Sequence, residues 1–168
     1  MIALGLEQEG QATLACLEES DAALVDGLLA SLSPTSVYRR FFSPAVRADH
    51  FRASLLTTEQ YERDSIAALE GGEVVGIAQY SRRKGSSKAD MAIVIADARQ
   101  QQGLGTRLVA ALADRAAAGG ITAFTVSIQG DNFAAIRLLQ RVARGTRLTF
   151  SGGVGEALIS LAPFRGEG

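Results

Sequence analysis

The sequence predicts an α+β fold: a mixed, mostly antiparallel central sheet flanked by helices, with one strand–loop–helix–strand crossover at its centre. Three observations predict it. Residues 64–70 and 73–80 are apolar β-type runs joined by Gly71-Gly72, a hairpin signature. Residues 104–118 switch to a helical period between two further β-type runs, 89–95 and 121–128. A closing pair of runs, 147–150 and 156–161, flanks Ser151-Gly152-Gly153.

Residues 1–10 carry no clear signal and are expected to be loosely ordered. Ala12–Leu17 reads as a first strand, with Cys16 as a small buried hydrophobe, and Glu18-Glu19-Ser20-Asp21 as a turn. A helix follows, with Ala23, Leu24, Gly27, Leu28 and Leu32 as its apolar stripe. Ser33-Pro34 reads as an N-cap with proline at the first helical position. The short helix it opens carries Tyr38, Arg39, Arg40, Phe41 and Phe42 and stops before Pro44. Its aromatic residues are assigned to the core, and Arg40 to a local acid or to packing along its stem. His50–Tyr61 is helical, with Phe51, Leu55 and Leu56 inward and His50 at the helix start.

Arg82 to Lys88 is a polar, basic turn. Leu104, Leu108, Val109 and Leu112 share one face of the long helix, which Gly119-Gly120 ends as C-cap glycines. Asn132 to Val142 is helical through Phe133, Ile136, Leu138 and Leu139. No repeat or low-complexity linker interrupts the chain, so residues 1–168 are read as one domain.

Composition excludes several functions. The 168 residues hold 17 Lys+Arg against 18 Asp+Glu, a formal net charge of −1, which argues against a nucleic-acid backbone reader. With one Cys and one His, neither an internal disulfide nor a His/Cys zinc site is available, and a His-dependent hydrolase would hang on His50 alone. No stretch approaches the roughly 18 unbroken apolar residues of a membrane span. The N-terminus has no basic n-region and turns acidic too soon for a signal peptide, so a soluble cytoplasmic protein is expected.

The informative segment is Ile95-Ala96-Asp97-Ala98-Arg99-Gln100-Gln101-Gln102-Gly103-Leu104-Gly105-Thr106. A strand runs into a glycine-bearing loop where a helix begins, and free N–H groups at a helix N-terminus suit a phosphate or pyrophosphate. A P-loop would need Lys where Thr106 stands. A dinucleotide fingerprint would need Gly or Ala where Leu108 stands, and a downstream acid. Neither fits.

The spacing Gln100-x-x-Gly103-x-Gly105, after a strand and opening a helix, resembles the coenzyme A loop of the GNAT superfamily of N-acetyltransferases. The resemblance extends over about Ala12 to Leu161. The segment Ser33-Pro34-Thr35-Ser36-Val37-Tyr38-Arg39-Arg40-Phe41-Phe42 is similar to one in bacterial Pat-type protein-lysine acetyltransferases. The resemblance implies that Gln100, Gln102, Gly103, Leu104, Gly105 and Thr106 hold the cofactor, and that Asn132 touches its pantetheine arm. It also implies that a backbone N–H near Val94 or Ile95 polarises the thioester. Asp90 stands where the family places its general base, usually Glu, so its reach is one carbon shorter and favours a water relay.

The implied activity is transfer of an acetyl group from acetyl-CoA to a primary amine, with a protein lysine as the leading acceptor. Such chemistry needs a carboxylate to take a proton and donors aimed at the developing oxyanion. It requires no metal and no covalent enzyme intermediate. Leu139 occupies the position where many relatives carry a Tyr acid, and Ala143-Arg144 replace the usual Gly-Phe. The acid for the leaving thiolate is left to water or Tyr80. A small-molecule amine acetyltransferase and a non-catalytic acyl-CoA-binding regulatory module are the alternatives, and a monomer and a homodimer both suit the pattern.

Overall fold

The computed structural model describes residues 2–3, 11–56 and 62–162. Its strands are β1 (Ile2–Ala3), β2 (Thr13–Cys16), β3 (Arg63–Glu70), β4 (Glu73–Ser81), β5 (Lys88–Ile95), β6 (Ala123–Gln129), β7 (Thr149–Ser151) and β8 (Val154–Ser160). Its helices are α1 (Ala22–Ser31), α2 (Pro34–Phe41), α3 (Ala48–Leu56), α4 (Leu104–Ala118) and α5 (Phe133–Val142). The strands form one sheet in the order β1-β2-β3-β4-β5-β6-β8-β7. All neighbours are antiparallel except β5 and β6, which the α4 crossover makes parallel. This is the mixed, mostly antiparallel α+β sheet that the sequence predicts.

Local chemistry sets the boundaries. Gly71-Gly72 and Gly152-Gly153 all take positive φ, as two-residue hairpin turns require. Ser33 caps α2 by accepting from the Ser36 N–H at 3.2 Å, and Pro34 holds the first helical position. α4 starts at Gly103, whose φ is +83°, and closes on Gly119.

The sheet is packed on both faces. Leu104, Leu108 and Leu112 of α4 and Leu139 of α5 cover one face, over Ile66, Ala78, Phe124 and Ile159. Val25 and Leu28 of α1 and Phe51 and Leu55 of α3 cover the other, over Ala67, Ile77 and Val94. A fully buried leucine such as Leu108 or Leu112 contributes about 1.5–3 kcal/mol.

Ile2 and Ala3 pair with Cys16 and Ala15 at the sheet edge, and residues 1 and 4–10 lie outside the described residues. Three expectations are corrected. The α1 stripe is rotated: Val25, Leu28 and Leu32 are buried while Ala23 and Gly27 are exposed, because the larger side chains have more apolar area to hide. Phe41 packs edge-on against Phe51, but Tyr38 and Phe42 are 47% and 41% exposed. Phe42 sits at a left-handed C-cap (φ 56°), which turns it away from the helix face. Phe133, the first residue of α5, is 64% exposed. The predicted extension of the third helix through residues 57–61 falls outside the described residues.

One irregularity positions the site. β5 and β6 pair only at Lys88–Ala123, Ala89–Phe124 and Asp90–Thr125. Beyond Asp90, β5 stays with β4 to Ile95, while β6 stays with β8 to Gln129. The two parallel strands part and leave a wedge between them.

Candidate active site

The loop at the head of the wedge is built to present backbone N–H groups. Gln101 and Gly103 both take positive φ, and the N–H groups from Gln101 to Gly105 find no acceptor among the described residues. With the N-terminal dipole of α4 they form an anion cradle. Thr106 Oγ1 lies beside it, buried and without a partner. The two glycines have different jobs. Gly103 permits the left-handed turn, and a Cβ there would meet no protein atom. At Gly105 a Cβ would lie 2.9 Å from Leu138 Cδ2, so this glycine lets α4 approach α5.

The glutamines shape the loop with their side chains. Gln100 Nε2 donates to Ile95 O at 3.1 Å and to Ser36 Oγ at 3.2 Å, and Gln102 Nε2 donates to Ala98 O at 3.0 Å. The segment also anchors α2. Asp97 accepts from the Ser33 N–H (3.0 Å), Ser33 Oγ (2.7 Å) and Ser36 Oγ (2.9 Å). Partial burial works to raise the Asp97 pKa, but these hydrogen bonds together outweigh it and hold the carboxyl below its ordinary value. The Ser-x-x-Ser spacing thus has a physical reason, since both hydroxyls close on one carboxylate.

Ladder alternation decides which N–H groups face the wedge. The Ala96 N–H donates to Val75 O, so Val94, two residues earlier, directs its N–H into the β4 ladder as well. Ile93 and Ile95 point the other way. Of the two positions considered for polarising a thioester, Ile95 presents its N–H to the open side and Val94 does not.

A cavity of about 240 Å³ occupies this end of the wedge, reaching from the glycine loop to Asn132 and Leu138. Arg39, Arg40, Arg137 and Arg141 line it and no acidic residue does. Arg137 and Arg141 lie one turn apart on α5, and Arg39 reaches across to Asp131 O at 3.0 Å. Asn132 Oδ1 is used as the α5 N-cap, accepting from the Ala135 N–H at 3.2 Å, which leaves its amide nitrogen without a partner among the described residues.

A second cavity, of about 940 Å³, adjoins the first and includes Asp90. Thr125 Oγ1 donates to Asp90 Oδ1 from the paired position on β6. On the next strand Glu156 pairs with Ser127, so it rises from the same sheet face as Thr125 and Asp90 and lines the same cavity. Arg40 lines both cavities, and its Nη2 donates to Gln79 Oε1 at 2.8 Å. The anticipated acidic partner is absent among the described residues, although the side chain does pack, with its guanidinium 4.8 Å from the Phe41 ring centroid. With no carboxylate to offset desolvation, the Arg40 pKa is pulled down to about 10.

The other candidates lie elsewhere. Tyr80 is 1% exposed in the core against Phe124 and lines neither cavity, so the structure removes it as a source of the thiolate's proton. His50 is an exposed residue of α3. Cys16 is half-buried in β2, where burial first, and Asp64 and Glu18 after it, raise its pKa against the opposing charge of Arg115. Among the described residues no group of His, Cys, Asp and Glu is placed to hold a metal ion, and no helix is long and apolar enough to cross a membrane.

Orphaned N–H groups, the unpartnered Thr106 hydroxyl and a wall whose charged residues are all arginine fit a diphosphate-bearing ligand whose far end reaches the wedge. Such an arrangement, in a mixed sheet split beside a strand–loop–helix turn, is that of an acyl-group transferase. The chain belongs to the acetyltransferase (GNAT) family, whose sequence model matches residues 33–143. It is an acetyl-CoA-dependent acetyltransferase by that membership. No curated protein matches the chain.

Solved structures share the fold at low identity. The GNAT domain of S. lividans PAT superposes with a TM-score of 0.82 at 22% identity, over 94% of this chain and 95% of that one. A putative acetyltransferase from Salmonella typhimurium, solved with its cofactor acetyl-CoA, gives 0.72 at 19%, over 90% and 95%. A phosphinothricin acetyltransferase from Sinorhizobium meliloti, in complex with acetyl-CoA, gives 0.71 at 18%, over 89% and 88%.

Several site residues escape the sequence. Arg137 and Arg141 have a readable signal, their helical spacing on an amphipathic segment. Thr125 and Glu156 have none, because strand register alone sets Thr125 beside Asp90 and Glu156 on the same sheet face two strands away.

Proposed function

We propose that the chain is a single Pat-like catalytic domain that transfers an acetyl group from acetyl-CoA to the side-chain amine of a protein lysine. The observation that carries this reading is the junction of the two cavities. An arginine-walled cavity ending in the Gln101–Gly105 cradle meets, at the β5/β6 wedge, a cavity that contains both Asp90 and Glu156. The first offers a polyanionic donor four arginines and no carboxylate; the second, which Arg39, Arg40, Lys88 and Arg147 also line, offers an attacking amine two carboxylates.

In this reading bound acetyl-CoA supplies an activated thioester. Backbone N–H groups from Gln101 to Gly105 and the Thr106 hydroxyl hold the diphosphate, and the Asn132 amide nitrogen contacts the pantetheine arm. The Ile95 N–H donates to the carbonyl oxygen as it gains negative charge. Asp90, held by Thr125, takes the proton released by the attacking amine through bridging waters, since five residues of β5 separate it from Ile95. The amine nitrogen bonds to the carbonyl carbon, the C–S bond breaks, and water protonates the departing thiolate.

Thiol release tests this. Purified protein with acetyl-CoA and lysine peptides or lysine-bearing enzymes should release CoA thiol at a rate that depends on the acceptor. Tight CoA binding with no acceptor-dependent release would exclude the enzymatic reading and leave a regulatory binding module. Release with free amines and none with lysine proteins would select the small-molecule alternative.

A further inference from the structure

Arg40 is the unusual charge of the junction. Its guanidinium carries five N–H donors. One hydrogen bond is formed, to the neutral Gln79, and one face lies on the Phe41 ring. Neither Nε nor Nη1 takes a partner, and neither is sealed off from the two cavities that Arg40 lines. The neighbouring Arg39 is different, being tied to Asp131. A desolvated guanidinium without a carboxylate is costly unless a ligand completes it.

Register fixes where that ligand would sit. Gln79 pairs with Ala92, which lies two residues from Asp90 on one face of β5 and two residues from Val94. At about 3.4 Å of rise per residue, the guanidinium stands about 7 Å along the strand from the Asp90 end of the reaction centre and about 10 Å from the Ile95 end. It therefore stands over the middle of β5, between the two ends of the reaction centre, in a cavity that it shares with the cradle.

We propose that Arg40 is a carboxylate-binding residue that selects a reactant bearing a carboxylate a few bonds from the bond being formed. This rests on the acyl-transfer reading above. Two sources supply that chemistry: an acyl donor with a carboxylate-ended chain, or an amine acceptor with a nearby carboxylate. The planar fork of arginine matches a carboxylate through two parallel hydrogen bonds.

Paired substrates test it. One arm compares succinyl-CoA with butyryl-CoA against a neutral lysine peptide. The other holds acetyl-CoA fixed and compares a lysine peptide with Glu or Gln beside the lysine, and 4-aminobutyrate with butylamine. In the wild-type protein the carboxylate-bearing member of at least one pair should be favoured about tenfold or more in kcat/KM. Arg40→Leu should abolish that preference, and Arg40→Lys should keep part of it, having the charge without the fork. Absence of a preference in every pair, or its survival in Arg40→Leu, overturns the assignment. Should no pair turn over, the acyl-transfer reading fails separately. Calorimetric affinities of the same compounds for the wild-type protein then decide the subsite, with equal affinity within each pair overturning it.

Discussion

The two cavities share β5 as a wall yet differ in their charged groups, since carboxylates line only the larger. The smaller ends in backbone N–H groups and carries four arginines with no carboxylate. The larger receives Asp90 and Glu156 from strands on either side of β6. A net charge of −1 conceals this segregation. The strand divergence sets these carboxylates apart from the anion cradle, in a cavity that Arg39, Arg40, Lys88 and Arg147 also line, so the presence of carboxylates and not the sign of the total charge distinguishes the two.

Substitutions that act on one cavity and spare the other test the comparison. The largest effect is expected from Asp90→Asn, which should lower turnover about 10²- to 10⁴-fold while CoA affinity is nearly retained. Parallel loss of both would mean that the cavities are not separate in function. Gly103→Val should weaken CoA binding about tenfold or more, by filling the cradle, while left-handed strain costs about 1–2 kcal/mol of stability. Unchanged affinity by calorimetry would place the diphosphate elsewhere.

Arg137→Ala combined with Arg141→Ala should raise the CoA Kd several-fold, since exposed charge pairs contribute about 0.2–1 kcal/mol each, and should flatten its salt dependence. The acceptor KM should not move. Asp97→Asn should cost about 1 kcal/mol in urea unfolding through weakened hydrogen bonds to α2. Because the native Asp97 pKa is lowered, its stabilisation is present above the ordinary carboxylate value and lost as pH falls through the native one. The wild-type and variant difference should therefore stay flat between about pH 5 and 8 and shrink only in acid. The smallest effect concerns Cys16, whose raised pKa predicts slow alkylation near neutral pH; rapid modification would place it in an open environment.

Much of the scaffold is legible because it is local. The α4 boundaries follow from a 3.6-residue period and the glycines at each end, and the hairpins follow from paired glycines that accept positive φ. The cradle follows from Gly103 and its position before a helix. Glu156 could not be found this way, because its place in the same cavity as Asp90 depends on β8 inserting between β6 and β7. The Asp97 contacts with Ser33 and Ser36 span more than sixty positions, beyond any local pattern. Tyr38 and Phe42 look like core in composition and are exposed because α2 buries no residue completely.

That last property of α2 has a consequence for motion. A helix without a fully buried side chain opens at low free energy, and its ties are the Asp97 contacts at one end, the Arg39–Asp131 and Arg40–Gln79 contacts further along, and the packing of Val37 and Phe41 on the core. Its amides should exchange with deuterium well before those of α4, which buries seven residues. Each such opening withdraws Arg39 and Arg40 from both cavities at once. Occupancy of either cavity should therefore slow exchange in α2, which makes one short helix a common reporter for donor and acceptor.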